Sequence, residues 1–378
     1  MPDKRLAISF VRRGHSPTGG AEAYLKRLAR GVVEAGHAVQ LFTTSGWPQN
    51  EWPFGAIRRL PSGSASAFAN ELEQIRPQLQ SDVLMSLERV WECDVYRAGD
   101  GVHRAWLDRR RQFESTFQTF CRCFSRKHKD ILRLEKSLFA DRRAGRIIVN
   151  SEMVKNEIVN LYGYPAEKID VVRNGVPVSE FRDAMVNRQQ SRAALGLAVD
   201  EIAVLFAGSG WERKGLRFAV EATKPYENVR LRLMIAGRGN QRRYKTAHVQ
   251  FLGSVADLSP VYAAADIFLL PTIYDPFSNA CLEALACGLP VITTRDNGFS
   301  EIIEDRVHGS IVDCANDLAG LRSAIGFWTD AARRIAVRST NMHRAAQFDI
   351  SENVARTLEI LVQAAASAAS ASGKIRNT

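Results

Sequence analysis

The strongest constraint in this sequence is its rhythm. Short apolar runs of strand length alternate with helical periodicity along most of its 378 residues. That alternation predicts an α/β protein with a mainly parallel sheet. In the first half the runs are Leu6–Arg12, Ala38–Thr44, Ala56–Leu60, Asp82–Leu87 and Arg146–Asn150. In the second half they are Ile202–Gly208, Arg230–Ala236, Val249–Leu252, Ile267–Pro271, Pro290–Thr294 and Ser310–Val312. Helical patterns at Ala21–Ala35, Glu152–Tyr162, Gly215–Lys224, Ala280–Cys287 and Ser300–Ile303 separate most of them. The two halves read as two doubly wound, Rossmann-like domains. Asn174-Gly175 and the following Pro177 mark a turn between them, which places the domains at 1–175 and 176–345. The stretch 364–378, rich in Ala and Ser, is expected to be a disordered tail.

Composition narrows the class. Hydrophobic residues make up 46 % and charged residues 24 %. These values fit a globular chain and exclude a disordered, collagen-like or coiled-coil protein. The longest apolar runs fall well short of the roughly 18 residues a membrane span needs. Met1-Pro2-Asp3-Lys4-Arg5 leads straight into Leu6–Val11, too short a run for a signal peptide, so the expected location is cytoplasmic. Cys93, Cys121, Cys123, Cys281, Cys287 and Cys314 form no paired C-x-x-C spacing, so no zinc site is expected. The net charge of +10 is the unusual item. It points to an anionic partner, whether nucleic acid, membrane surface or phosphorylated ligand.

Much of that charge lies where the α/β rhythm breaks, at 104–138. Trp106, Phe113, Phe117, Phe120, Phe124 and Ile131 recur at helical steps, with Arg104, Arg111, Arg122, Arg126, Lys129 and Arg133 roughly opposite. The pattern predicts one long basic amphipathic helix. Two compatible readings stand. In one, the aromatic stripe packs on its domain and the cations face water. In the other, the helix lies in a membrane interface, with Trp106, Phe113, Phe117, Arg122, Arg126 and Lys129 as contacts. No nucleic-acid reader motif accompanies the cations, so nucleic acid is not an expected partner.

Ligands of open parallel sheets bind outside the carboxyl ends of the strands. After the first strand comes Gly19-Gly20 at a helix start, which lets backbone N–H groups approach a ligand. After Ile202–Gly208 come Arg213 and Lys214, a planar fork and a point charge suited to a phosphate. After Ile267–Pro271 comes Asp275 on a loop, then Ser278, Asn279 and Ala280 opening a helix whose N–H groups can meet an anion. Glu283 follows one turn in, where its carboxylate can accept two ribose hydroxyls. Gly288-Leu289-Pro290-Val291 then leads into the next strand.

Together these elements resemble the retaining GT-B glycosyltransferases of family 4, from Leu6 to about Leu361. The resemblance implies two Rossmann-like domains facing across a cleft. It also implies a C-terminal helix, 346–363, crossing back to the first domain. Within the family, Cys93–His103 and the basic segment after it look like the lipopolysaccharide core glucosyltransferases. Those enzymes add glucose to the heptose region of the inner core.

The roles so implied are residue by residue. Gly19 and Gly20 would face the donor diphosphate or the acceptor. Arg213 and Lys214 would hold the donor's β-phosphate, and Glu283 the ribose. Asp275 would take the hydroxyls of the transferred sugar, and Asp100 or His103 would contact that sugar from the first domain. Arg238 would meet the nucleobase or diphosphate. The family usually places Glu where Asp275 stands. No Asp-x-Asp metal motif sits on a suitable loop, so no metal and no cofactor is expected beyond a nucleotide diphosphate sugar as donor substrate. The implied acceptor is lipid A–core or another glycolipid at an anionic membrane surface. A sugar-nucleotide epimerase or a phosphorylase would need acid/base residues or a pyridoxal lysine, and neither signature is present.

Overall fold

The computed structural model describes residues 5–15, 20–115, 125–224 and 229–375, with side chains as far as 368. The chain forms two units, one of residues 1–173 and 351–378, the other of residues 174–350. It therefore passes between them twice, at 173/174 and 350/351. The sequence reading drew these boundaries at 175/176 and 345/346.

In the first unit the order is β1 (Ala7–Val11), α1 (Gly20–Glu34), β2 (Ala38–Thr43), β3 (Gly55–Arg59), α2 (Ala65–Ile75), β4 (Val83–Ser86), β5 (Cys93–Arg97), α3 (His103–Arg111), α4 (Arg126–Phe139), β6 (Ala144–Val149), α5 (Glu152–Tyr162) and β7 (Ile169–Val171). The strands form a seven-stranded parallel sheet in the order β3-β2-β1-β4-β5-β6-β7. Ile8 of β1 sits between Val39 of β2 and Val83 of β4, so β1 is central. Its residues Ile8, Phe10 and Val11 are almost wholly buried, as parallel strands covered on both faces require.

The second unit holds α6 (Val178–Ala184), α7 (Arg188–Ala194), β8 (Ile202–Ala207), α8 (Leu216–Ala222), β9 (Leu231–Ala236), β10 (Val249–Gly253), α9 (Ser259–Ala264), β11 (Ile267–Leu270), α10 (Asn279–Ala286), β12 (Val291–Thr294), β13 (Gly309–Val312), α11 (Leu318–Trp328) and α12 (Ala331–Ala346). Its strands run β10-β9-β8-β11-β12-β13, again all parallel. In both sheets the strand order reverses once, at β1/β4 and at β8/β11. Such a reversal leaves a crevice at the carboxyl ends where ligands bind. Both sheets are thus the doubly wound form expected from the sequence.

The last helix, α13 (Ile350–Ile375), belongs to the first unit from Ser351 onward. Asn353, Thr357, Ile360, Leu361, Ala364 and Ala365 are its buried residues. They follow one helical stripe. Thr357 Oγ1 lies 3.4 Å from Tyr24 Oη on α1.

Four expectations need correction. The tail from 364, expected to be disordered, continues α13 through Ile375. Alanine is the best helix former, and Ala364 and Ala365 extend the buried stripe. The helix expected over 104–138 is broken. α3 stops at Arg111 with Arg109, Arg110 and Arg111 in its last turn, where cations meet the negative end of the dipole. α4 then begins afresh on an N-cap, the Ser125 hydroxyl accepting from His128 N. Strands β5 and β7 went unread, because Asp94, Arg97 and Asp170 interrupt their apolar runs. The pattern at Ser300–Ile303 is a 3₁₀ turn, Gly298–Ile302.

Candidate active site

The β8/β11 crevice of the second unit gathers most of the residues picked from sequence. β8 ends at Ala207, and the chain turns through Gly208 into Trp211-Glu212-Arg213-Lys214. Trp211 anchors this loop. It is buried, its Nε1 donates to Gly208 O at 3.0 Å, and its ring meets Tyr244 and Phe251. Two glycines permit the fold. A Cβ on Gly208 would fall 2.8 Å from the Lys214 side chain, and one on Gly215 would fall 1.8 Å from Pro271 O. Both have positive φ, 132° and 74°, which glycine adopts without a steric penalty. Lys214 therefore lies back over the strand end. Its Nζ reaches Asp275 Oδ2 at 3.3 Å.

The opposite wall follows β11. Arg213 O accepts from Ile273 N (2.8 Å) and Thr272 Oγ1 (3.0 Å), tying the two loops together. Asp275 is pinned through its backbone: its N–H donates to Asp296 O, and its carbonyl accepts from Gly298 N, both at 2.9 Å. The fully buried Asn297 locks this corner. Its Oδ1 accepts from Ser278 N (3.2 Å) and Phe299 N (3.1 Å), while its Nδ2 donates to Thr293 Oγ1 (2.9 Å) and Cys281 Sγ (3.4 Å). Helix α10 then starts on Ser278, whose hydroxyl accepts from Cys281 N. By helix geometry the N–H groups of Asn279 and Ala280 lack intrahelical acceptors. Asn279 Oδ1 accepts from Asn174 Nδ2 (2.8 Å), which also donates to Phe277 O (3.2 Å).

Glu283 is half-buried on α10, and its Oε2 accepts from the Tyr262 hydroxyl at 2.8 Å. Arg238 lies exposed beyond the carboxyl end of β9, the strand beside β8. The result is a cation, a carboxylate and a helix N-terminus within one crevice, with a second carboxylate one turn in. Such a set can hold an anionic phosphate and several hydroxyls without moving its backbone.

In the first unit, the β1/β4 crevice centres on Arg12. Its guanidinium meets Glu22 (3.0 Å), Glu88 (3.1 Å) and Asp100 (3.9 Å). Burial disfavours the Arg12 charge, but Glu88, Asp100 and Glu22 outweigh it and hold the group protonated. Burial likewise raises the Glu88 carboxyl above its ordinary range. Asp100 itself is 65 % exposed at its side chain. His103 opens α3, which has no side-chain N-cap of its own. The buried carboxylate of Glu135 fills that place, accepting from His103 N (2.6 Å) and Arg104 N (3.0 Å). The same carboxylate takes Arg89 Nε (3.0 Å) and the Tyr162 hydroxyl (2.7 Å). Arg89 in turn donates to Gly101 O (2.7 Å), fixing the loop that carries Asp100. The His103 ring sits 3.0 Å (Nε2 to Nδ1) from His128 of α4. Burial, Arg89, His128 and Lys127 push it down to about 3. His103 is thus a neutral imidazole, already engaged with His128.

The structure thus gathers Arg213, Lys214, Asp275, Ser278, Asn279, Ala280 and Glu283 at the second sheet, and Asp100 and His103 after β5. Gly20 starts α1, while Gly19, Phe117 and Arg122 lie outside the described residues. Of the other expected membrane contacts, Arg126 and Lys129 are exposed on α4. Trp106 and Phe113 are half-buried. The apolar side of α4, Leu134, Leu138 and Phe139, joins the unit's core, so that side packs on the domain. Among the described residues no helix is long and apolar enough to cross a membrane. Sequence reasoning missed Tyr262, Asn297 and Asn174, and in the first unit Arg12, Arg89, His128 and Glu135. Of these only Asn174 and Asn297, each in an Asn-Gly pair just past a strand, carried a local turn signal.

Comparison with known proteins agrees with this fold. Residues 201–328 match the family described as glycosyl transferases group 1, and residues 18–180 match glycosyltransferase family 4. A Burkholderia thailandensis protein described as a probable transglycosylase is 32 % identical over 363 residues, covering 92 % of this chain and 94 % of that one. A D-inositol 3-phosphate glycosyltransferase of Pseudarthrobacter chlorophenolicus is 28 % identical over 396 residues, covering 92 % and 90 %. Among solved structures, WaaG, a glycosyltransferase involved in lipopolysaccharide biosynthesis, superposes with a TM-score of 0.79 at 19 % identity, covering 94 % of this chain and 99 % of that one. Anabaena HepE in complex with UDP-glucose does so at 0.70 and 20 %, covering 94 % and 100 %.

Proposed function

The chain belongs to the group 1, family 4 glycosyltransferases, and on that premise we propose that it moves glucose from UDP-glucose to the heptose region of a lipopolysaccharide inner core, with retention at the anomeric carbon and without a divalent metal. The observation that carries this reading is the β8/β11 crevice, where Lys214, Asp275 and the start of α10 converge. Transfer leaves a nucleoside diphosphate whose charge must be stabilised as it develops. Arg213, Lys214 and the N–H groups of Asn279 and Ala280 supply that electrostatic contribution from fixed positions. Binding the diphosphate draws Lys214 from its pairing with Asp275, which frees the Asp275 carboxylate for the hydroxyls of the transferred sugar. Glu283 takes the ribose and Arg238 the nucleobase or diphosphate. The leaving phosphate, rather than a protein base, receives the acceptor's proton.

The acceptor is amphiphilic, and the cations of α3 and α4 place the protein on the anionic inner face of the cytoplasmic membrane. Each basic residue near such a surface contributes about 1 kcal/mol. A soluble inositol phosphate is the second acceptor class, favoured by the relative of that name.

The test is a donor screen. The purified protein is given UDP-, GDP- and ADP-linked hexoses with lipid A–core acceptors that carry or lack heptose, in the presence of a chelator. The product is read by mass and by anomeric configuration. One added hexose, from UDP-glucose, on the heptose-bearing acceptor alone is the expected result. Transfer only to inositol phosphate, or loss of transfer with the chelator, would contradict the reading.

A further inference from the structure

Glu283 does not stand alone on α10. Its Oε2 is held at 2.8 Å by the hydroxyl of Tyr262, a residue of α9 that is fully buried. Phe181 meets the Tyr262 ring edge-on and Phe268 meets it tilted, each 5.8 Å between centroids. No ligand can therefore touch Tyr262. Burial, and then the neighbouring Glu283 charge, push its phenol well above the ordinary range, so the hydroxyl remains a donor. Glu283 is only half-buried, so a dry partner holds a carboxylate on a residue that solvent still reaches.

This arrangement has an energetic consequence. A glutamate side chain loses rotamer entropy when it is immobilised. If a ligand had to freeze Glu283, that cost would fall on binding. Here the fold has already met it, which is preorganisation. The hydroxyl partner also matters for geometry. With one oxygen fixed, the plane of the carboxylate is fixed, and two vicinal hydroxyls can meet it only from one direction.

We infer that Tyr262 is the positioning residue for Glu283, and that through this one hydrogen bond it sets how strongly the site distinguishes ribonucleotides from 2′-deoxyribonucleotides. The inference rests on the reading of Glu283 as the ribose-binding carboxylate.

Calorimetry tests it. UDP, GDP and ADP are titrated into the full-length protein, and the tightest binder is compared with its 2′-deoxy counterpart. The wild type should favour the ribose form by on the order of tenfold, the worth of a hydrogen bond to a charged group. Tyr262→Phe should shrink that ratio several-fold while leaving inorganic pyrophosphate binding unchanged. Glu283→Ala should abolish the ratio. A Tyr262→Phe protein with the wild-type ratio, beside a Glu283→Ala protein that has lost it, would overturn the role of Tyr262 and leave Glu283 in place. If Glu283→Ala kept the ratio, or if none of the three nucleotides bound, both readings would fall. A residue that only packs would lower the melting temperature without moving the ratio.

Site-specific 3-fluorotyrosine at 262 covers the case in which Tyr262→Phe does not fold. It keeps the ring and strengthens the donor, so the ratio should hold. Its fluorine resonance should shift with the ribonucleotide and much less with the 2′-deoxy form. Equal shifts would contradict the inference.

Discussion

The first unit carries 31 Lys and Arg against 22 Asp and Glu; the second carries 20 against 19. Nearly all of the excess charge noticed in the sequence therefore lies in one unit, and residues 101–150 hold 13 cations against five acids. The nearly neutral unit is the one in which we propose that the donor phosphate binds. The two switch points explain why. Both hold a cation against a carboxylate, Arg12 on Glu88 at 3.1 Å and Lys214 on Asp275 at 3.3 Å. Arg12 is further engaged by Glu22 and Asp100. A diphosphate at Arg12 would face three carboxylates. At Lys214 it would displace one and would also meet the start of α10. On the proposed function, local arrangement rather than net charge would select the anion that a crevice holds, and the bulk charge would be left to act on a surface.

Mutations can break this contrast. The largest effect should come from Glu135→Ala in the first unit. It leaves Arg89 and the start of α3 without their buried carboxylate, and removing one partner of a buried pair costs about 3–5 kcal/mol. Denaturant unfolding of the whole chain should show that loss while nucleotide binding to folded protein persists. A change below about 1 kcal/mol, the worth of an exposed pair, would mean that Glu135 is not holding the loop. Next, Lys214→Ala should cut turnover at saturating donor by on the order of a hundredfold, the cost of one preorganised oxyanion partner. Wild-type turnover would remove Lys214 from the mechanism.

Neutralising Arg126, Lys129 and Arg133 together should weaken binding to phosphatidylglycerol vesicles by about 3 kcal/mol. Nucleotide affinity should not change. Equal vesicle binding before and after would return α4 to a purely structural role.

Near neutral pH the smallest effect concerns His103, whose ring is pushed from its ordinary 6.5 to about 3 by burial and by Arg89, His128 and Lys127, so that it acts only as the pH falls. The unfolded chain takes up a proton at this residue near pH 6.5 and the folded chain does not. This contribution to stability is complete above pH 6.5 and is lost as the pH falls towards 3. His103→Gln should flatten the decline in melting temperature over that window. An unchanged slope would show that other groups set it.

The same contrast shows what was legible in the sequence. The central strands β8 and β11 could be read because both faces are covered, which writes an unbroken apolar run such as Ile267–Leu270. β5 could not, because tertiary partners satisfy its charges: Asp94 accepts from Leu84 N, and Arg97 stacks over Tyr24. The candidate residues of the second unit could be placed together because they follow strand ends in order. Their supports could not. Tyr262 and Asn297 reach the site across the fold: nothing at 262 announces it, and the Asn-Gly pair at 297 announces a turn but not its contacts. The broken helix was misread because its aromatic spacing runs on past Arg111. The decisive signal was one residue, Ser125, acting as an N-cap.

Hydrogen exchange on the full-length protein tests the central claim, that the second unit's switch point holds the donor. Exchange is compared with and without saturating nucleoside diphosphate, using the tightest binder of UDP, GDP and ADP. The account predicts new protection at 208–215 and 271–283. Protection confined to the loops after β1, β4 and β5, with 208–215 and 271–283 unchanged, would contradict it.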